Sequence, residues 1–333
     1  MGNGKRSRAF SIILLILIFI PGLVFGQAKT VLRYAVVYPP VGAQADGALG
    51  MAKLIDQYSN GRLEMKFYPS SQLGDKMPVM QALREGSLEM TECAASDLSS
   101  FDKLWSVFSL PFTFNSGEEA VKILSSPEVS AILNASAEAA GFKIIAWWNM
   151  GERSILNAKR PINTPADLKG VKVRVMQDPV LAKAIGAMGA IGTPMAWGEV
   201  YSAVQQKVID GLENSPPVIT ANKLQEVAKY YSLTQQFIIP DPQLISLKVF
   251  NKLPPDLQDA VMKAGKASQE QFNQIWATYV EKEYATLRAA GVKINEVDKA
   301  AFRAAVKPMV DEFLAKADDT TKKLYAAFTA TRK

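Results

Sequence analysis

Apolar residues in this chain recur in two alternating rhythms, and that alternation limits the fold more than any other feature. Val31 to Tyr38 is rich in β-branched and aromatic side chains and ends at Pro39-Pro40, the pattern of a strand. Ala43 to Tyr58 then has helical spacing and stops at Asn60-Gly61. Leu63, Met65 and Phe67 alternate with polar neighbours, giving a second strand before Pro69. A helix over Lys76 to Glu85, closed by Gly86, and a short strand near Leu88 to Ala94 follow. Alternation of this kind builds an α/β lobe around a largely parallel sheet. The rhythm restarts with strands at Phe142 to Asn149 and Val171 to Met176, a helix at Trp197 to Gln206 and a strand near Val208 to Leu212. Ala82 to Met90 and Ala203 to Gly211 are alike as helix end, short turn and apolar-acidic strand start, which fits two lobes of related plan.

From Pro254 to Ala290 the character changes. Pro254-Pro255-Asp256 starts a helix, and Leu257, Val261, Ala264, Phe272, Ile275 and Tyr279 keep roughly helical spacing. One helix of that length would span a small domain at ~1.5 Å per residue. Two helices with a kink near Gly265 fit the same pattern equally well. The tail from Lys299 onward also has helical spacing.

The start of the chain sets the compartment. Lys5, Arg6 and Arg8 precede an apolar run from Ser11 to Phe25, broken by Pro21-Gly22 and followed by the small residues Gly26 and Ala28. That layout predicts a cleaved secretory signal over residues 1–26, and hence a periplasmic protein. Removing it lowers the net charge from +6 to +3, with 35 basic side chains against 32 acidic ones. No block of like charge points to nucleic acid or a membrane surface. Cys93 is the one cysteine, so an internal disulfide is excluded and stability must come from packed cores. Histidine is absent altogether, which removes Ser-His-Asp and Cys-His catalysis and His-based zinc sites. A carboxylate-only enzyme stays open, because glycosidase-type chemistry needs just two acids.

Several residues could hold a ligand. Val171, Val173 and Val175 occupy one face of their strand, leaving Arg174 on the other near the strand's carboxyl end, where open α/β sheets place ligands. A guanidinium suits a carboxylate because its planar fork makes two parallel charge-assisted hydrogen bonds. Spacing alone fits a solvated strand-face arginine better. Arg153 follows an apolar strand through a glycine turn, a pocket position or an ordinary ion-pair position. Trp197 opens a helix and could wall a pocket, although core packing is the commoner use. Asn214 precedes Ser215-Pro216-Pro217 and could bind a ligand or simply shape the turn.

Five segments in order carry a more specific signal. They are Ser71-Gln72-Leu73-Gly74-Asp75, Gly86 to Met90, Leu110-Pro111-Phe112-Thr113-Phe114, Gly170 to Val175, and Pro194 to Gln206 leading to Asp210-Gly211-Leu212-Glu213-Asn214. Together they resemble the solute-binding subunits of tripartite ATP-independent periplasmic (TRAP) transporters, the C4-dicarboxylate-binding family, over nearly all of the mature chain. The resemblance implies a two-lobed α/β binding fold with a hinge and one long helix across both lobes. It implies a first lobe of 29–150 plus about 240–275, and a second of about 151–239 plus about 276–333. It also implies a monomer that captures a small organic acid and hands it to the membrane permease subunits, without cofactor or catalysis. The family's carboxylate-binding arginine falls on Arg174, its frequent second arginine on Arg153, its pocket asparagine on Asn214 and its aromatic on Trp197. Gln72 and Gln236 are further implied ligand contacts. Glu213-Asn214 stands where metal-using relatives have Glu-Trp, so no bound cation is expected. The alternatives are an exported carboxylate-dependent enzyme using the same cleft, and a binding subunit that feeds a sensor.

Overall fold

The computed structural model describes Met1 and residues 29–331. The expected export signal and its cleavage positions lie outside the described residues. The first half of the chain runs β1 (Thr30–Ala35), α1 (Ala43–Tyr58), β2 (Leu63–Tyr68), α2 (Lys76–Glu85), β3 (Met90–Glu92), α3 (Gly117–Leu124), α4 (Pro127–Ala139) and β4 (Phe142–Trp148). It continues through β5 (Glu152–Asn157), β6 (Lys172–Val175), α5 (Pro179–Ala187), β7 (Ile191–Pro194), α6 (Val200–Gln205), β8 (Gly211–Asn214), α7 (Pro216–Ala221) and β9 (Tyr230–Ile238). The remainder is β10 (Asp241–Ser246), α8 (Leu247–Phe250), α9 (Pro255–Ala289), β11 (Lys293–Asn295), α10 (Lys299–Lys316) and α11 (Asp319–Thr329).

These strands form two sheets, ordered β2-β1-β3-β10-β4 and β11-β9-β5-β8-β6-β7. Each lobe is built on one of them. The chain crosses between lobes from β4 to β5 and returns from β9 to β10. Both sheets are mixed rather than largely parallel. β1, β2 and β3 run parallel, but the returning β10 is antiparallel to β3 and β4. In the second sheet β6, β7 and β8 run parallel, while β5 is antiparallel to β8 and β9. The antiparallel members flank the two crossings, where a chain that changes sheet reverses direction.

Residues 255–289 form a single helix, which decides the question at Gly265. A Cβ there would lie 2.2 Å from the Ile145 carbonyl oxygen, so the glycine lets α9 press onto β4 rather than kink. Further along, Phe272 stacks on Trp148 at 4.2 Å in the first lobe. Near its end, Leu287 and Tyr284 pack in the second lobe, Tyr284 against Tyr231 at 6.3 Å. The helix therefore spans both lobes.

Two further details differ from the sequence expectation. The strand expected over 208–212 begins instead at Gly211, because Lys207 turns the chain with φ 61° and Val208 is exposed. This carries the strand on to Asn214. The tail is two helices, and α11 returns to the first lobe instead of joining the second with the rest of 276–333. Phe328 sits 5.1 Å from Phe108 and 4.8 Å from Phe114, covering the stack of Trp105, Phe108 and Trp147. That aromatic face would otherwise remain wet.

Candidate ligand-binding site

A cavity of about 370 Å³ lies between the lobes, lined from both sides. The second lobe contributes the carboxyl ends of its parallel strands: Arg174 and Met176 from β6 and just beyond, and Asn214 from β8. Arg153, at the start of β5, reaches the same end because β5 runs antiparallel to β8, with Ser154 opposite Asn214. Met195, Ala196 and Trp197 complete this wall after β7. The first lobe supplies Tyr38, Lys76 at the start of α2, Glu92 at the end of β3, Asp97 from a 3-10 segment and Asp241 at the start of β10. The geometry is that of ligand sites at the carboxyl edge of α/β sheets, here doubled across a cleft.

Arg174 is only 4% exposed, so it is not the solvated strand-face arginine that spacing favours. Its Nε and one terminal nitrogen both donate to the Met195 carbonyl, at 2.9 and 2.7 Å, and its guanidinium lies 5.3 Å from the Trp197 ring centroid. These contacts orient the fork without neutralising it. No carboxylate pairs with it among the described residues. Burial pushes its pKa down to about 10, with Arg153 adding in the same direction and Glu213 opposing. A guanidinium still protonated at neutral pH, buried and without an ion-pair partner, has a standing affinity for an anion.

Arg153 is placed beside it but is already engaged. Its Nε and a terminal nitrogen grip the two Glu213 carboxylate oxygens at 2.6 and 3.0 Å, with a further bond to the Glu213 carbonyl at 3.1 Å. Burial lowers the Arg153 pKa, but Glu213 outweighs it and leaves the net shift upward. Asn214 is buried, and its Oδ1 accepts from the Ser215 backbone at 2.9 Å as α7 begins. Asn214 both shapes the turn and lines the cavity.

Gln72 and Gln236 do not line the cavity. Gln72 is exposed in the turn before α2. Gln236 is fully buried in β9, where its Oε1 accepts from Thr234 at 2.5 Å and its carbonyl accepts from the Phe112 backbone at 2.8 Å. It lies in the irregular stretch of β9 where pairing with β5 jumps from Arg153–Phe237 to Ile155–Ser232, and its contacts with Thr234 and Phe112 keep it among the strands.

The first-lobe wall was not legible. Lys76 donates to a Glu92 carboxylate oxygen at 3.0 Å. Burial would depress this lysine, but Glu92 and Asp97 outweigh it and hold its ammonium above the ordinary range. Asp241 is buried against Glu92, and burial together with that neighbouring charge raises its pKa well above the usual carboxylate range. The Pro240-Asp241-Pro242 triplet was the one signal, since an acid between two prolines has an unusual reason to sit at a strand start.

A two-lobed α/β protein that presents an unneutralised buried arginine to an interlobe cavity is a solute-binding protein of the hinge-closing class. The chain belongs to bacterial extracellular solute-binding protein family 7, whose model matches residues 35–317. It is 32% identical over 279 residues to a solute-binding protein of Chromohalobacter salexigens, covering 84% of this chain and 83% of that one. Its fold superposes with TM-score 0.86 on a TRAP periplasmic solute-binding protein from a Sulfitobacter species with bound β-D-galacturonate, at 31% identity over 90% of this chain and 100% of the other. A Chromohalobacter salexigens TRAP protein with bound D-glucuronate gives the same score at 30% identity, again over 90% and 100%. Such proteins bind solutes for transporters and are not enzymes, so the carboxylate-dependent enzyme reading is set aside.

Proposed function

We propose that this protein captures a sugar acid in the periplasm, closes its two lobes around it, and delivers it to a TRAP permease. The observation that carries the reading is Arg174: nearly sealed, held in orientation by Met195 and Trp197, and lacking a carboxylate partner among the described residues. The ligand carboxylate completes that pair. Uronates and aldonates suit the cavity because solved relatives hold glucuronate and galacturonate at about 30% identity and galactonate at 26%. Arg153, neutralised by Glu213, braces this wall without offering a free charge, and Asn214 offers its amide nitrogen. Trp197 covers the arginine and the adjoining ligand face.

Closure follows from differential contacts. In the open form Arg174 is hydrated, whereas in the closed form it is buried and needs the anion, so ligand favours closing. Calorimetry with D-glucuronate and D-galacturonate tests the reading. Arg174→Ala should abolish measurable binding and keep a cooperative melt, since it deletes an unpaired buried charge rather than a structural pair. An Arg174→Ala protein that binds a sugar acid as tightly as the parent would refute the clamp.

A further inference from the structure

Arg174 accounts for one carboxylate, and the first-lobe wall bears on the remainder of the ligand. The cations lining the cavity are Lys76, Arg153 and Arg174, and the first two already hold the carboxylates of Glu92 and Glu213. Glu92 is 2% exposed, and its Oε2 has no donor when Asp241 is ionised. A proton retained on Asp241 satisfies that oxygen and leaves the Asp241 carbonyl oxygen as an acceptor. Asp97 takes the Ala94 backbone N–H on one oxygen and has acceptor capacity to spare. The wall is therefore rich in acceptors; Lys76 and Glu92 cancel and a protonated Asp241 is neutral, so its net negative charge comes from Asp97 together with Asp75, which also lines the cavity.

We propose that Glu92, Asp241 and Asp97 form a wall that accepts hydrogen bonds from ligand hydroxyls and repels a second carboxylate, restricting the site to polyhydroxylated monocarboxylates. This rests on the sugar-acid reading above and adds the residues that enforce it. A hydroxyl is neutral and can donate, so it meets each of these acceptors favourably. A second carboxylate can only accept, and would stand beside Glu92 in a site where screening is weak.

Galactonate and galactarate make a clean test, because they share an open chain and differ in CH2OH against carboxylate at one end. Galacturonate serves as the ring-form monoacid. In calorimetry the parent protein should bind the better monoacid at least a hundredfold more tightly than galactarate, and Glu92→Gln should shrink that ratio at least tenfold. Equal binding of galactarate and the better monoacid overturns the proposal while leaving the Arg174 clamp intact, as does a folded Glu92→Gln protein with an unchanged ratio. Loss of binding to every sugar acid by the parent protein would instead sink both readings. Glu92→Gln strands Lys76, so if its melt loses cooperativity the ratio is read on Asp97→Asn, which keeps an acceptor for Ala94; an unchanged ratio there also counts against the wall.

Discussion

Arg153 on β5 and Arg174 on β6 flank β8 in one sheet and do different work because of a single neighbour. Glu213 neutralises Arg153 with two bonds in a setting where both partners are almost wholly buried. Removing half of such a pair leaves the other charge stranded, at a cost of ~3–5 kcal/mol. Glu213→Ala should therefore lower unfolding stability by about that amount in urea titrations, whereas Arg174→Ala should leave it within about 1 kcal/mol of the parent. A Glu213→Ala protein of parental stability would show that Arg153 finds another partner. Asp241 gives a prediction in pH. The groups facing it are Glu92 from β3, Lys76 from α2 and Arg153 from β5. Its folded-state pKa is raised, so the native protein takes up a proton at higher pH than the unfolded chain does. Stability from this group consequently grows as pH falls from the raised value toward the ordinary ~4. Asp241→Asn, which resembles the protonated acid, should flatten the stability difference between pH 7 and pH 5; an unchanged slope would place the titration elsewhere. Asp97 and Asp178 are also raised by burial and would supply what slope persists.

At the scale of elements, α9 shows packing overriding propensity. Glycine inside a helix costs ~1 kcal/mol relative to alanine, so Gly265→Ala would stabilise an isolated helix. Here the added methyl meets the Ile145 carbonyl oxygen at 2.2 Å, a contact that the backbone of β4 cannot relieve by a rotamer change. The variant should lose ~1–3 kcal/mol, as overpacked cores do. A gain in melting temperature would mean that the α9–β4 contact is looser than described. The α1–α9 packing obeys the same logic, because a Cβ at Gly47 would come within 2.5 Å of Phe272.

Across the whole molecule, the lobes also meet directly, beside the cavity. Ser109, fully buried in the first lobe, donates to the Asp178 carboxylate of the second at 2.5 Å, and Asp178 also caps α5 through the Val180 backbone. Hydrogen bonds to a charged group contribute ~1.5–3 kcal/mol, and lobe opening that separates Ser109 from Asp178 would forfeit this one. Ser109→Ala should thus weaken ligand affinity about tenfold or more by raising the cost of closure, with little change in the pocket itself. Calorimetry checks it; unaltered affinity would remove the contact from the closing equilibrium. The sequence alone determined the elements and much of their plan, because strand and helix periods are local properties: α1 and α2 begin and end where turn residues and Gly86 place them. Periodicity was compatible with two lobes, and the resemblance carried by the ordered motifs supplied the two-lobe plan and pointed to Arg174, Arg153, Trp197 and Asn214, all of which line the cavity. Only the tertiary structure decided that Arg153 is neutralised, that Gly265 is a close approach and that α11 returns to the first lobe. The Lys76–Glu92–Asp241 wall likewise had to be seen folded. Charge pairing and close contact join residues tens to hundreds of positions apart, and no local pattern in the chain records which of them will meet.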